Sequence, residues 1–275
     1  MDDYDPYLDV EPDEEERPRD AKIDEAKLAI LDVFEREPQR VFYSVQIETR
    51  LEREYFHWIT NKGLSELAQE RQLAFEPRMI AGTQRVHFYT YPTYRYFRRE
   101  AKRLEGVLTQ LYDPDFTHAV GRHCEMLLDS ALARAGFQPQ ATDANAWNGK
   151  QWTQTKHNLD RIVVKDSIAY GVEIKNTQNY IGRPELRTKL RMCEHLQLRP
   201  LFIMRFAPKS YIEEVRRAGG FTLLFEEQIY PFGFVKLMRE VREALGLKVQ
   251  CPRDFKEGDI QRLVNWHDKK LSHAK

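Results

Sequence analysis

Asp160, Glu173 and Lys175 lie close together in residues 158–177, NLDRIVVKDSIAYGVEIKNT. Two converging carboxylates would take a hard divalent cation such as Mg²⁺ (or Mn²⁺) as oxygen ligands. An ammonium group beside them would position or polarise a water, or steady charge developing on a phosphate. The surrounding residues supply the elements that must hold them. Residues 159–164 and 168–174 read as two strands rich in β-branched side chains, joined by the polar turn Lys165, Asp166, Ser167. Side chains alternate along a strand. Ile168, Tyr170, Val172 and Ile174 therefore make an apolar face, while Ala169, Gly171, Glu173 and Lys175 make the other. Asp160, near the start of the partner strand, is returned by the hairpin to the neighbourhood of Glu173. Such a convergence is costly unless something occupies it. The alternative is a surface hairpin with an incidental Glu–Lys pair.

At these residues the sequence resembles the PD-(D/E)XK nuclease superfamily, in which an acidic residue on one strand is followed by an acid-X-Lys triplet on the next. Asp160 and Glu173-Ile174-Lys175 stand at those positions, and Leu159 stands where the family's name places proline. The resemblance covers residues 117 to about 231 and implies a restriction-endonuclease-like α/β fold with a mixed sheet in αβββαβ order. It implies that Glu125, in GRHCEMLLDSALARAGF, joins the catalytic group. It also implies that Asp160, Glu173 and the backbone carbonyl of Ile174 hold the metal, with Lys175 assisting the attacking water. The reaction implied is phosphodiester hydrolysis, with duplex DNA the expected substrate, an endonuclease the expected type, and restriction, defence or repair the expected setting.

The remainder of the chain narrows the choice. Its 275 residues allow one large domain or two ordinary ones, and 41% hydrophobic residues are enough for real cores. No apolar run approaches a membrane span, so no membrane partner is expected. Cys124, Cys193 and Cys251 are far apart with no CxxC pair, which points to a reducing, cytoplasmic setting without a zinc knuckle. No glycine-rich phosphate loop appears, and no nucleotide cofactor is expected. The formal net charge is zero, but residues 1–20 carry −8, leaving +8 on residues 21–275. That acidic, proline-broken tail reads as a solvating segment, or as a polyanion competing for a basic groove.

From Ile23 the pattern turns helical. Ala26, Ile30, Leu31, Val33 and Phe34 form an apolar face, ended by Pro38. A short strand at residues 41–43 precedes a helix that Ser44 can cap. A third helix turns Ile59, Leu64, Leu67 and Ala68 inward and Thr60, Asn61, Lys62, Ser65 and Gln69 outward. The alternating runs LAFEPRMI and RVHFYTY around Ala81-Gly82-Thr83 signal a hairpin. Three helices and a hairpin resemble a winged helix-turn-helix, with the third helix as major-groove reader. Lys62 and Arg71, with Arg78 and Arg85 in the wing, are the expected phosphate contacts. Arg95, Arg98, Arg99, Lys102 and Arg103 then follow helical spacing, so five cations share one face of a connecting helix and suit a polyanion.

Beyond it, a helix is expected over residues 117–135 and a first strand near residues 151–155. After Lys175 come a polar turn to Gly182, a helix over 184–196, a buried strand over 201–206, a helix over 211–218 and a strand over 221–225. Two late amphipathic helices, around Val235–Leu245 and Ile260–Val264, are expected to pack on the body or to form a homodimer surface. The expected organisation is an acidic tail (1–21), a winged-helix-like domain (22–96), a basic linker helix (97–116), a nuclease-like α/β domain (117–250) and a helical extension (251–275). Competing expectations are a non-catalytic DNA-binding regulator whose nuclease-like domain only scaffolds, and an assembly subunit whose winged helix docks a protein.

Overall fold

A computed structural model describes residues 20–272; the acidic tail expected at the N-terminus lies almost wholly outside them. Helix α1 (Lys22–Arg36) buries Ile23, Ala26, Ile30 and Phe34, one helical stripe, while Leu31 and Val33 are only partly covered. Strand β1 (Val41–Tyr43) runs directly into α2 (Ser44–Leu51), where Ser44 is the first helical residue rather than the cap. The Gln46 side chain takes over at that end, accepting from the Tyr43 N–H at 2.8 Å. Helix α3 (His57–Gln69) lies on α1, and Gly63 makes the close approach feasible, since a Cβ there would stand 2.9 Å from Ile30. Strands β2 (Ala74–Ile80) and β3 (Gln84–Thr90) form the hairpin, turned by Ala81 and Gly82 at positive φ, and β1 completes an antiparallel sheet in the order β1-β3-β2. Thr60 does not point outward. It is fully buried, in the helical turn it shares with Phe56 and His57, which are packed against the C-terminal half.

Helix α4 (Phe97–Leu111) leads into α5 (Pro114–Arg134), which Asp113 caps by accepting from the Phe116 N–H at 3.0 Å. The first strand of the next sheet is β4 (Gln138–Ala144), earlier than expected. Its sequence, QPQATDA, is mostly exposed, and Pro139 is tolerated because β4 is the sheet edge, so no hydrophobic alternation announced it. Of the residues expected to form that strand, 151–155, only Gln151 is in a strand, at the end of a small ribbon of β5 (Ala146–Trp147) with β6 (Lys150–Gln151). Strands β7 (Leu159–Lys165) and β8 (Ile168–Lys175) form the central hairpin, with Asp166 and Ser167 both at positive φ in a two-residue turn. Then follow α6 (Arg183–Leu196), β9 (Arg199–Met204), α7 (Lys209–Arg217) and β10 (Phe221–Leu224).

The five strands lie in the order β10-β9-β8-β7-β4. The pairs β4–β7 and β7–β8 are antiparallel, and β8–β9 and β9–β10 are parallel. The protein is thus a mixed α/β structure. Val163, Tyr170 and Val172 pack with Leu128 and Leu132 of α5 on one face of this sheet. The other face, expected to begin with small residues, is closed by α6. A Cβ on Gly171 would stand 2.7 Å from Cys193 Sγ and 2.9 Å from Leu159, so glycine is what lets that helix lie down.

Strand β11 (Gln228–Ile229) pairs with β12 (Val249–Gln250) on either side of α8 (Val235–Leu245), and α9 (Glu257–Ser272) ends the described chain. The late helices pack on the body. Leu237, Val241 and Leu245 of α8 join Val41, Tyr43, Val45, Phe88, Leu104 and Leu108 in one core. In α9, Ile260 and Leu263 are buried with Phe255 against the sheet, and the buried His267 bridges Tyr170 (2.6 Å) and Asp166 (2.9 Å). A continuous apolar cluster therefore crosses the expected boundary at residue 96. Among the described residues, no helix is long and apolar enough to cross a membrane.

Candidate nuclease-like site

The β7–β8 register sets Arg161 opposite Val172 and Ile162 opposite Gly171. One step further along the same ladder brings Asp160 opposite Glu173, on the face covered by α6. Directly opposed side chains in an antiparallel pair stand about 5 Å apart at Cβ. The expected convergence is thus a consequence of strand register. Asp160 Oδ2 accepts from the Ile174 N–H at 2.6 Å, which ties the first carboxylate to the second strand. The Ile174 backbone therefore meets Asp160 through its amide, besides the carbonyl expected to face a metal.

Glu173 is 4% exposed. Burial pushes its carboxyl up to about 8, the charge of Asp160 adds to that, and Lys189 opposes it. Asp160 is also raised, chiefly by burial, against the opposing Ile174 N–H and Lys189. The pair is consequently a poorly neutralised patch of oxygen. Its partner cation is Lys189 of α6, buried and 2.7 Å from Glu173 Oε2, with its ammonium also donating to the Asn158 carbonyl. Beyond that ion pair, Glu173 Oε2 has no hydrogen-bond donor among the described residues. Lys175 projects from the end of β8, partly exposed, with its ammonium 3.5 Å from Glu185 at the start of α6.

Glu125 sits on the other side of the hairpin. Its Oε2 accepts from Arg161 at 2.7 Å, and the same guanidinium reaches Asp129 Oδ1 at 3.1 Å and the Asp160 carbonyl at 2.7 Å. Glu125 is close enough to bear on Asp160 electrostatically, but its direct contact is the arginine. An open groove along α5, lined by Thr117, His118, Gly121, Arg122 and Glu125, ends at this point. Among the described residues, no three His, Cys, Asp or Glu side chains gather into a metal-holding group. A cation at Asp160 and Glu173 would therefore be held by two carboxylates, with backbone carbonyl and solvent oxygens completing its shell.

Lys189 and Arg161 escaped the sequence reading, although a signal exists for each. Leu186, Lys189, Cys193 and Leu196 follow the spacing of one buried stripe of α6, so a lysine interrupts an apolar row. Arg161 likewise falls on the apolar face with Val163. A charged residue in a core stripe must meet an opposite charge, and here it does.

The nine expected phosphate contacts divide into two groups. Lys62, Arg71, Arg85, Arg95, Arg98, Arg99, Lys102 and Arg103 are exposed. Arg95 precedes α4 rather than lying on it, and Arg99 stacks 4.5 Å over the exposed Tyr96 ring. Arg78 is held by Glu76 (2.8 Å) and Glu105 (2.9 Å), which fastens the β2–β3 hairpin to α4, and Arg103 is paired to Glu100 (2.6 Å). Arg78 is thereby committed within the protein, whereas the Arg103 pair is an exposed one. The buried thiols Cys124 and Cys193 are pushed up to about 12 and are poor nucleophiles. Family models, curated proteins and solved structures were compared with the chain, and none matches it.

Proposed function

We propose that the protein is a metal-dependent nuclease that hydrolyses phosphodiester bonds, with duplex DNA as substrate and the chemistry at Asp160, Glu173 and Lys175. The observation that carries this reading is the buried Asp160–Glu173 pair: two carboxylates opposed across neighbouring strands, both raised, with a single ammonium (Lys189) on Glu173 and a second lysine at the strand end. Such a pair fits a Mg²⁺ or Mn²⁺ ion, which when bound polarises a phosphate oxygen and lowers the pKa of water. The chain's own contributions are separate from this. The Ile174 N–H orients Asp160, Lys189 offsets part of the negative charge, and Lys175 is placed to steady an attacking water or the charge on a phosphate. Glu125 acts through Arg161, orienting the strand that bears Asp160.

Setting aside the β5–β6 ribbon, helix α5, the sheet strands β4, β7 and β8, helix α6 and strand β9 follow the αβββαβ order of the PD-(D/E)XK superfamily, which supports the same reading. The order of α1 to β3, with its three-stranded sheet, supports a winged-helix-like DNA-binding half. The exposed cations Arg95, Arg98, Arg99 and Lys102 would then meet DNA phosphates. A second reading, a DNA-binding regulator with a scaffolding nuclease-like domain, is favoured by one feature: Lys189 already gives Glu173 a cation.

Incubating the full chain with duplex DNA, single-stranded DNA and RNA in Mg²⁺, Mn²⁺ or EDTA separates the two readings. Cleavage of duplex DNA with either metal and none in EDTA is expected. Binding without cleavage in all three conditions would favour the regulator.

A further inference from the structure

Arg205 is 1% exposed, and the position of its guanidinium is set by both halves of the molecule. It forks onto Glu52, at the end of α2, with Nη1 2.9 Å from Oε1 and Nη2 2.6 Å from Oε2; the Glu52 side chain is 2% exposed. The same guanidinium donates to the Thr177 carbonyl at 3.0 Å through Nε and to the Gln178 carbonyl at 2.5 Å through Nη2. The Arg205 backbone N–H donates to the Lys175 carbonyl at 3.0 Å. One residue therefore grips the end of the candidate catalytic strand, at Lys175, and the turn that leaves it, at Thr177 and Gln178. A second link from the N-terminal half lies a few residues on, where the Tyr180 hydroxyl accepts from the His57 N–H at 2.9 Å.

Neither end of this contact is accounted for by local packing. An arginine in the core needs a carboxylate and full hydrogen bonding to be tolerated, and carbonyls of a polar turn are ordinarily left to water. Here the carboxylate comes from the winged-helix-like half and the carbonyls from the turn after Lys175.

We infer that Glu52 is a positioning residue for the candidate site: through Arg205 it fixes the turn at residues 176–180 and so the placement of Lys175. The inference rests on the nuclease reading for its catalytic consequence, but the mechanical link stands on the contacts alone. A lysine about 1 Å out of place forfeits around 10²-fold in rate, so loss of the link is expected in turnover rather than in DNA affinity.

The test uses the full chain with Glu52→Gln, and with Glu52→Met and Arg205→Met combined, an apolar pair that removes both charges. Amide hydrogen exchange over residues 174–182 is read beside duplex cleavage in Mg²⁺. In both variants exchange there is expected to quicken by about 10-fold or more and kcat to fall by about 10- to 100-fold. KM should stay within about twofold of wild type, and the double variant should melt near it. Exchange and kcat both unchanged in a folded variant would overturn the inference, as would faster exchange with unchanged kcat. A wild type that cleaves nothing would end the nuclease reading alone, and the exchange measurement would still decide the link.

Discussion

Glu52 and Glu173 are both buried carboxylates facing a buried cation, and they end in opposite electrostatic states. Burial raises Glu52, but the two Arg205 hydrogen bonds and the nearby His57 outweigh it and hold the group below its ordinary value. Burial raises Glu173 as well, to about 8, because Asp160 adds a like charge and Lys189 offers a single contact. A forked guanidinium satisfies a carboxylate's two oxygens at once, whereas an ammonium is a point charge that leaves lone pairs over. The difference separates an element that holds the structure together from one kept under tension. Glu52 has a donor on each oxygen, whereas Glu173 meets one ammonium and stands beside a like charge.

The comparison can be broken by substitution. Arg205→Ala strands a buried carboxylate and uncaps the turn carbonyls, and is expected to cost about 3–5 kcal/mol. Glu173→Gln removes a charge that the fold tolerates poorly but also takes the carboxylate from buried Lys189, and in EDTA near pH 8 it is expected to cost less than Arg205→Ala. Urea unfolding of both variants beside the wild type checks the contrast. Similar losses at the two positions would mean that Glu173 is as well satisfied as Glu52.

The pH dependence sharpens it further, with opposite signs. For Glu173 the folded pKa of about 8 exceeds the ordinary 4.5, so between those values the folded state holds a proton that the unfolded state has lost. Its contribution to stability is therefore full below 4.5 and declines as pH rises to about 8, by at most about 5 kcal/mol. Glu52 has a lowered pKa, so its contribution is present above 4.5 and is lost as pH falls through the lower folded value. Unfolding in EDTA from pH 4 to 9 should give the wild type a falling limb toward alkaline pH that Glu173→Gln flattens. A limb of equal slope in the variant would remove Glu173 as its source.

Much of this was legible in the sequence. The hairpin of residues 159–175 could be read because β-branched runs flank a polar turn, and period-two alternation put Glu173 and Lys175 on one face; that Asp160 shares that face follows from the strand register. The helices were legible wherever an apolar stripe met a stop signal. Strand β4 was not, because an exposed edge strand needs no alternation and its pairing is supplied by β7. The partners that define the site were also hidden. Lys189, Arg161 and Arg205 each lie in an apolar setting where only the tertiary fold brings an acid to meet them. The fusion of the two halves was equally invisible, since α8 joins the core of β1, β3 and α4 from more than a hundred residues away.

Metal-dependent cleavage by Asp160 and Glu173, with Lys175 beside them, is decided by single-turnover cleavage of duplex DNA in Mg²⁺ by wild type, Asp160→Asn and Lys175→Ala. The wild type should cleave. Both variants should bind the duplex with wild-type affinity and cleave at least about 10²- to 10⁴-fold more slowly. An Asp160→Asn protein that cleaves at the wild-type rate, or a wild type equally active in EDTA, would contradict the account.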